Sequence, residues 1–193
     1  FYGQLIDRIQ GLSLSEAVIE INYWCAEHAT YETTDGRTVS PMTMYRCGKG
    51  RCGEESTFAV SAFRSVGIAA RQVYTPRWAH CDDNHAWVEV YVDGEWHFLG
   101  ACEPQEVLDT GWFSGPANRA ILIHARNFSN YTGENGEEQI GQEGSLHYYN
   151  HTSFYAKTRK MLFTVKDEEN NPVTDAHIAV EVLNMAEFFP IVT

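Results

Sequence analysis

From Met44 to Val60 the chain has the sequence MYRCGKGRCGEESTFAV. The two cysteines of this stretch, Cys47 and Cys52, lie in a glycine-rich turn. Cys52 stands where this turn gives way to the apolar spacing that predicts a helix. A thiol at this point can be a disulfide partner, a metal ligand, a packing residue or a nucleophile. The rest of the sequence has to distinguish these roles.

Two helices are predicted on either side of the turn. The first covers residues 1–29, with Ser13 or Ser15 as an N-cap. The second runs from near Arg51 to a C-cap at Gly67, and two glutamates in its first turn suit the helix dipole. Residues 30–50 between the two helices are rich in Thr, Gly and Ser and are predicted to form a loop.

Beyond the second helix the sequence changes to the alternating pattern of strands. Residues 86–92 and 95–100 flank an Asp-Gly turn and predict a β-hairpin. Residues 68–74 and 120–125 predict two further strands, whereas the acidic, glycine-rich segment 130–144 predicts a surface loop.

The last part of the chain has a different character, and we expect two domains, 1–157 and 158–193. Residues 162–166 and 176–183 predict strands of an all-β module. Because a few strands are rarely stable alone, we expect the start of a β-sandwich that continues beyond Thr193. Since the chain opens on Phe rather than Met, we also expect a segment upstream.

The composition is that of a folded globular protein. Hydrophobic residues make up 44% and aromatic residues 13% of the 193 residues, which allows one substantial core. The formal net charge of −12 disfavours nucleic acid and anionic membranes as partners, because phosphate binding requires clustered Lys and Arg. No stretch approaches the ~20 apolar residues of a transmembrane helix. With five cysteines, at least one thiol is free or pairs between molecules.

The surroundings of Cys52 favour a nucleophile. The first-turn N–H groups of a helix are unpaired and stabilise an anion, so we expect the pKa of this thiol to be lowered. Gly48, Gly50 and Gly53 allow a sharp turn and close approach of a substrate. A cysteine nucleophile needs a base. His85, at the start of a predicted strand, is the best placed of the eight histidines.

A zinc site is the main alternative for these residue types. His80, Cys81 and His85 form one group, and Cys47 and Cys52 form another. Neither spacing matches the pairs that zinc sites commonly use. We therefore expect no metal and no other cofactor.

Three motifs and their order resemble the transglutaminase-like superfamily of papain-type cysteine enzymes. They are GRCGEES at 50–56, GIAARQV at 67–73 and NHAWVEVYVDGEWHFL at 84–99, and the resemblance covers about residues 10–115. It implies an α+β core in which the cysteine helix packs against an antiparallel sheet. It also implies Cys52 as nucleophile and His85 as general base, in a bacterial protein that is periplasmic or at the cell surface.

The third member of the expected triad departs from the family pattern. Such enzymes carry an aspartate after the second hairpin strand that orients the histidine, and here Gly100 stands close to that place. Glu103, three residues further on, is the replacement we predict, with Asp82 and Asp83 as further candidates. Trp78 lies in the loop before the histidine segment, where we expect it to contact substrate in the cleft.

These residues predict a cysteine-dependent hydrolase of amide bonds. A thiolate would attack an amide carbonyl, the histidine would protonate the leaving amine, and water would release the acyl group. Water is abundant, and the sequence shows no recognisable calcium loop of the kind animal transglutaminases need, so hydrolysis is favoured. The alternatives are a protein-glutamine transamidase, a peptide-binding module weakened by the missing aspartate, and a zinc-stabilised structural domain.

Overall fold

Helices precede strands along the chain, as the sequence predicts. The computed structural model describes residues 1–33, 38–128, 131–133 and 137–192. The helices are α1 Tyr2–Leu5, α2 Leu14–His28, α3 Pro41–Cys47, α4 Cys52–Ser65, α5 Ser114–Ala117 and α6 Thr152–Tyr155. The strands are β1 Thr30–Tyr31, β2 Lys49–Gly50, β3 Ala70–Thr75, β4 His85–Val92, β5 Glu95–Leu99, β6 His124–Phe128, β7 Glu138–Glu143, β8 Leu146–Asn150, β9 Val180–Asn184 and β10 Glu187–Val192.

Six of these strands form one antiparallel sheet in the order β5-β4-β3-β6-β8-β7. The predicted hairpin is confirmed, because β4 pairs with β5 from Val88 opposite Leu99 to Val92 opposite Glu95. Its two turn residues both have positive φ angles, as a tight hairpin turn requires. The β3–β4 register ends with Thr75 opposite His85, so the first residue of β4 lies at the end of the sheet where β3 finishes and β4 begins.

Helix α4 packs on this sheet and brings its first turn to the same end of the strands. Its buried face carries Phe58, Ala59, Ala62 and Phe63, all fully buried. These side chains share one core with residues of α2 and with the valines of β4. The structure therefore confirms the α+β class and the predicted packing of the cysteine helix against an antiparallel sheet.

The predicted helix over residues 1–29 was wrong in its continuity, since α1 and α2 are separate. Gly11 between them has a φ of +81°, which is incompatible with a continuous right-handed helix. Ser13 then starts α2 with a capping box: its backbone N–H donates to Glu16 Oε2 at 2.8 Å, and its Oγ accepts from Glu16 N at 3.3 Å. The Ser13 N-cap is thus confirmed.

The predicted loop over 30–50 was also wrong in part, because it contains α3 and the parallel pair β1–β2. Ser40 caps α3 by accepting from Thr43 N at 3.2 Å, and Pro41 occupies the first helical position. Gly48 ends the helix with a left-handed conformation. Ser40 and Gly48 cap a short helix, but serine and glycine are also typical of loops, so the composition did not reveal it.

Two strand predictions need correction on the far side of the sheet. The strand predicted at 120–125 forms at His124–Phe128 instead. Within the segment 130–144, predicted as a loop, residues 138–143 form β7, while 130 and 134–136 lie outside the described residues. Strand β7 is the last strand of the sheet and largely exposed, so its polar sequence lacks the apolar alternation that identifies a strand.

The C-terminal region forms less structure than predicted. Residues 162–166 are not a strand, and Lys166 makes only an isolated bridge to Pro172. Strands β9 and β10 form an antiparallel hairpin. Asn184 in this hairpin donates to the carbonyl oxygens of Trp78 and Cys81 at 3.0 and 3.2 Å. A domain boundary at 157 and a β-sandwich that continues the chain stay predictions.

Candidate active site

The N-terminus of α4 places Cys52 at the end of the sheet where β4 begins. Arg51 is the N-cap: its backbone N–H donates to Glu54 Oε2 at 2.8 Å, and its carbonyl accepts from Glu54 N at 2.9 Å. The Arg51 guanidinium also pairs with the same carboxylate at 2.7 Å. This arrangement caps the helix at Arg51 and leaves Cys52 as the first helical residue, half-buried in the turn.

The Cys52 thiol is less acidic than its position at a helix N-terminus suggests. Burial raises its pKa, and the charges of Glu55 and Asp83 add to the rise. Hydrogen bonds from the backbone N–H groups of Ala86 and Gly53 act in the opposite direction but are outweighed. The expected lowering of this pKa was therefore wrong, because desolvation outweighs the helix N-terminus. At neutral pH the resting side chain is a thiol.

His85 lies across the same cleft, in a wall of aromatic rings. Its ring centroid is 4.7 Å from that of Trp112, 5.1 Å from Phe113 and 5.8 Å from Trp87. The side chain is 6% exposed, and burial lowers its pKa to about 4, opposed by the charge of Asp83. The imidazole is thus neutral at pH 7 and can accept a proton. Its buried Nε2 has no hydrogen-bond partner among the described residues.

Glu103 occupies the space that a side chain at Gly100 would take. A Cβ built on Gly100 would lie 2.5 Å from Glu103 Oε2 and 3.0 Å from Glu103 Cβ. The carboxylate accepts hydrogen bonds from Trp112 Nε1 at 3.0 and 3.2 Å, and burial raises its pKa. Between Glu103 and His85 there is no direct hydrogen bond, so Trp112 stands as the link between them. The orienting role of Glu103 stays a prediction.

The other predicted site residues lie around this centre. Asp83 lines the cleft, whereas Asp82 pairs with Arg77 on the exposed side of the loop. Trp78 is 3% exposed and packs behind His85, with 6.2 Å between the ring centroids. Its predicted contact with substrate stays a prediction.

Glu55 is a site residue whose importance the sequence analysis missed. It is 3% exposed and lies one helical turn after Cys52. Burial raises its pKa to about 8, and the charges of Glu103 and Glu54 contribute. The spacing of three residues from Cys52 was the available signal, because positions i and i+3 share a helix face.

The cleft between these elements has a volume of about 760 Å³ and carries charges of both signs. Besides Cys52, His85 and Glu103 it is lined by further residues that sequence reasoning did not single out, among them Gln72, Tyr74, Trp112 and Arg126. These come from β3, β6 and the loop after β5, and only the strand register brings them together.

The remaining cysteines lie outside the cleft. A hydrogen bond with the Cys25 thiol raises the pKa of the Cys102 thiol, and burial adds to the effect. Cys47 is exposed, and all five thiols are free. Within the described ranges, no group of three or more His, Cys, Asp or Glu residues could hold a metal ion. None of the helices in the described part of the chain is long and apolar enough to cross a membrane.

Comparison with known proteins agrees with this architecture. A family model for the transglutaminase-like superfamily matches residues 4–101. Curated protein sequences give no significant match.

Solved structures share the fold at low sequence identity. LapG of Legionella pneumophila, in its EGTA-treated form, superposes with a TM-score of 0.50 at 18% identity, over 64% of this chain and 69% of that one. A candidate cysteine protease from Cytophaga hutchinsonii gives 0.46 at 16%, over 78% and 57%. A TGase gives 0.41 at 21%, over 52% of this chain and only 30% of its own length. At 18% identity the likeness to LapG concerns the fold alone.

Proposed function

The chain belongs to the transglutaminase-like superfamily, and from that premise we propose that it is a cysteine-dependent amide-bond hydrolase, a peptidase or amidase acting on protein or peptide. The observation that carries the proposal is the convergence of two chain segments on one cleft. Cys52, the first residue of α4, and His85, the first residue of β4, both line it. A candidate nucleophile and a candidate base thereby face one solvent-accessible space.

The raised thiol pKa and the lowered imidazole pKa define the resting state as a neutral pair. When a substrate carbonyl enters, the Cys52 sulfur attacks its carbon and the thiol proton passes to His85. The carbonyl π electrons move to the oxygen, and unpaired N–H groups of the first turn of α4 stabilise the oxyanion. Proton transfer is thus coupled to attack, and no free thiolate needs to accumulate.

The tetrahedral intermediate then collapses to an acyl-enzyme. The C–N bond breaks, the protonated His85 donates its proton to the leaving nitrogen, and the amine departs. A water molecule next loses a proton to His85 and attacks the thioester carbonyl. The C–S bond then breaks, His85 returns the proton to the Cys52 sulfur, and the product leaves as a carboxylic acid. In this scheme Glu103, through Trp112, holds the ring of His85 in place.

The direct test is peptide hydrolysis by wild type and by Cys52→Ala, with Cys47→Ala as the matched control at an exposed cysteine. A proteome-derived peptide mixture serves as substrate and mass spectrometry identifies the products. We expect new cleavages in wild type and Cys47→Ala, and none in Cys52→Ala. Full retention of cleavage in Cys52→Ala would refute the proposal. Incubation with a primary amine separates hydrolysis from transamidation, because transamidation joins the amine to the acyl group.

One observation favours a second candidate, a peptide-binding module with little catalysis. Burial raises the pKa of Cys52, and His85 Nε2 has no partner among the described residues. Binding of peptides by wild type without any cleavage would favour this alternative. A bacterial, periplasmic or cell-surface setting belongs to the main proposal and is supported by the family resemblance alone.

A further inference from the structure

Arg126 stands on the wall of the cleft, tied to the first turn of the cysteine helix. It lies in β6 opposite Gln72 of β3, and its Nη1 donates to Gln72 Oε1 at 2.9 Å. The amide of Gln72 in turn donates to Gly53 O at 3.1 Å and to Ser56 Oγ at 2.6 Å. The guanidinium is therefore positioned by the same turn that carries Cys52.

Two aromatic rings hold the guanidinium in place. Its central carbon lies 4.7 Å from the ring centroid of Tyr74 and 5.8 Å from that of Tyr148. Cation–π contacts of this kind fix an arginine and leave its planar edge available for hydrogen bonds. Both Tyr74 and Arg126 line the cleft. The arginine is thus pre-organised toward the space that a substrate would occupy.

The charge of Arg126 has no carboxylate partner among the described residues. Its Nε is buried without a hydrogen-bond partner, and so is Nδ1 of His124, two residues earlier on the same face of β6. Four other arginines of the described chain pair with carboxylates: Arg8 with Glu20 and Glu27, Arg51 with Glu54, Arg71 with Glu89 and Glu137, and Arg77 with Asp82. Two arginines line the cleft, and of these Arg51 is paired with a carboxylate and Arg126 is not.

We propose that Arg126 binds a carboxylate of the substrate, so that the cleft selects peptides with an acidic group near the scissile bond. The proposal rests on the proposed function and names its substrate class. A guanidinium edge matches a carboxylate with two parallel hydrogen bonds. The acidic protein repels anions overall, so a substrate carboxylate requires a local cation of this kind. The carboxylate can belong to an Asp or Glu side chain or to the C-terminus of the peptide.

The test uses matched thiol-alkylating probes, so it needs no known substrate. The first pair is iodoacetyl-Gly-Glu-amide and iodoacetyl-Gly-Gln-amide, which differ only in the side-chain carboxylate. The second pair is iodoacetyl-Gly-Gly with a free carboxylate and its C-terminal amide. Peptide mass spectrometry gives the alkylation rate at Cys52 for each probe. The measured quantity is the rate ratio of acid to amide within each pair.

We expect a ratio in wild type at least roughly threefold above that in Arg126→Gln, as for a charge-assisted hydrogen bond partly screened by solvent. Arg119→Gln, at an exposed arginine outside the cleft, should keep the wild-type ratio. Arg126→Lys should keep part of the wild-type ratio, because the charge remains but the two parallel hydrogen bonds of the guanidinium are lost. The pair that shows the preference identifies the source of the carboxylate.

Equal ratios in wild type and Arg126→Gln for both pairs would overturn the inference while the neutral probes still report a reactive Cys52. No alkylation of Cys52 by any probe would instead contradict the proposed nucleophile, and the inference with it. A measurement on wild type alone gives a second criterion. If Arg126 dominates, added salt slows the acid probes; if the net negative charge dominates, added salt accelerates them and the inference fails.

Discussion

Two buried polar clusters on the same sheet differ in how completely their hydrogen bonds are satisfied. In the first, Glu89 is fully buried and accepts from Arg71 Nε at 2.7 Å and from Tyr155 Oη at 2.6 Å. His151 Nδ1 lies 2.7 Å from the same carboxylate. Burial alone would raise the pKa of Glu89, but His151, Arg71 and Tyr155 hold it below its ordinary value.

The second cluster is the candidate active site, and its groups are less well satisfied. Burial raises the pKa of Cys52 and, to about 8, that of Glu55, while it lowers that of His85 to about 4. Buried polar groups in proteins usually have partners, and strongly shifted groups gather at functional sites. The first cluster is satisfied by its own hydrogen bonds, whereas the second leaves neutral groups that exchange protons in the proposed mechanism.

The two clusters are connected. Trp87 Nε1 donates to Tyr155 Oη at 2.9 Å, and Tyr155 binds Glu89. The Trp87 ring packs against His85. The cluster around Glu89 thus holds Trp87, one of the aromatic rings that pack against the candidate base His85.

The largest expected effect is on catalysis without loss of stability. Cys52→Ala should reduce peptide hydrolysis by roughly 10⁴-fold or more, since a nucleophile has no substitute in the site. Its denaturant midpoint should stay near that of wild type, because the thiol contributes few hydrogen bonds to the fold. Parallel hydrolysis and urea-unfolding measurements check this. A large drop in the midpoint would show that the site also stabilises the fold, and the two clusters would then not differ in this respect.

The reverse pattern is expected for the cluster around Glu89. Glu89→Gln removes the fully buried carboxylate partner of Arg71, which keeps a second partner in Glu137. It should lower the free energy of unfolding by about 3 kcal/mol, the lower end of the range for a broken buried ion pair. Urea unfolding measures this. The matched substitution in the other cluster, His85→Leu, should cost less than about 1 kcal/mol, because Nε2 makes no hydrogen bond that would be lost. Equal destabilisation by the two changes would refute the distinction.

A pH effect of intermediate size is expected from Glu55. Its pKa rises from 4.5 to about 8 on folding, so the folded state binds the proton more tightly than the unfolded state. The resulting stabilisation is complete below the unfolded pKa and is lost as pH rises through about 8. Glu55→Gln should remove this slope and be the more stable protein at alkaline pH. Urea unfolding across this pH range checks the sign. Glu106→Gln at an exposed glutamate is the control.

The sequence predicted the parts of the site that local patterns encode. Cys52 was identifiable from its glycine-rich turn and His85 from the hairpin motif that follows it. Glu55, Trp112 and Arg126 were not, because their importance depends on burial and on strand register. The raised pKa of Cys52 was missed for the same reason: a helix N-terminus can be recognised in sequence, but the desolvation that outweighs it cannot.

The fold shows the same division. The β4–β5 hairpin was predictable because its turn and alternation are local. Strand β7 was not, since an exposed edge strand carries no apolar pattern and is defined by its partner β8. The separation of α1 from α2 depended on one glycine conformation that composition does not reveal.

The smallest expected effect concerns how Glu103 holds His85. If the carboxylate acts through Trp112, Glu103→Ala should lower kcat by roughly tenfold and leave KM little changed, less than the loss of a catalytic group that contacts the substrate. Trp112→Phe keeps the ring against His85 but removes the Nε1–H that binds Glu103. It should therefore lower kcat to a similar degree, and the double variant should be no worse than either single one.

A substitution at Gly100 distinguishes an orienting role of the Glu103 carboxylate from a role that is only structural. A side chain at Gly100 would collide with Glu103, so Gly100→Asp alone should be destabilising. In Glu103→Ala the 2.5 Å contact with Oε2 is gone, and the remaining 3.0 Å contact with Cβ requires a shift of only a few tenths of an ångström. Adding Gly100→Asp then places a carboxylate close to where the family resemblance expects an aspartate. We expect the double variant to recover kcat and to restore the pH profile of kcat, which reports the titration of His85. If Glu103→Ala leaves kcat and its pH profile unchanged, Glu103 only fills space, and His85 is oriented by its aromatic wall alone.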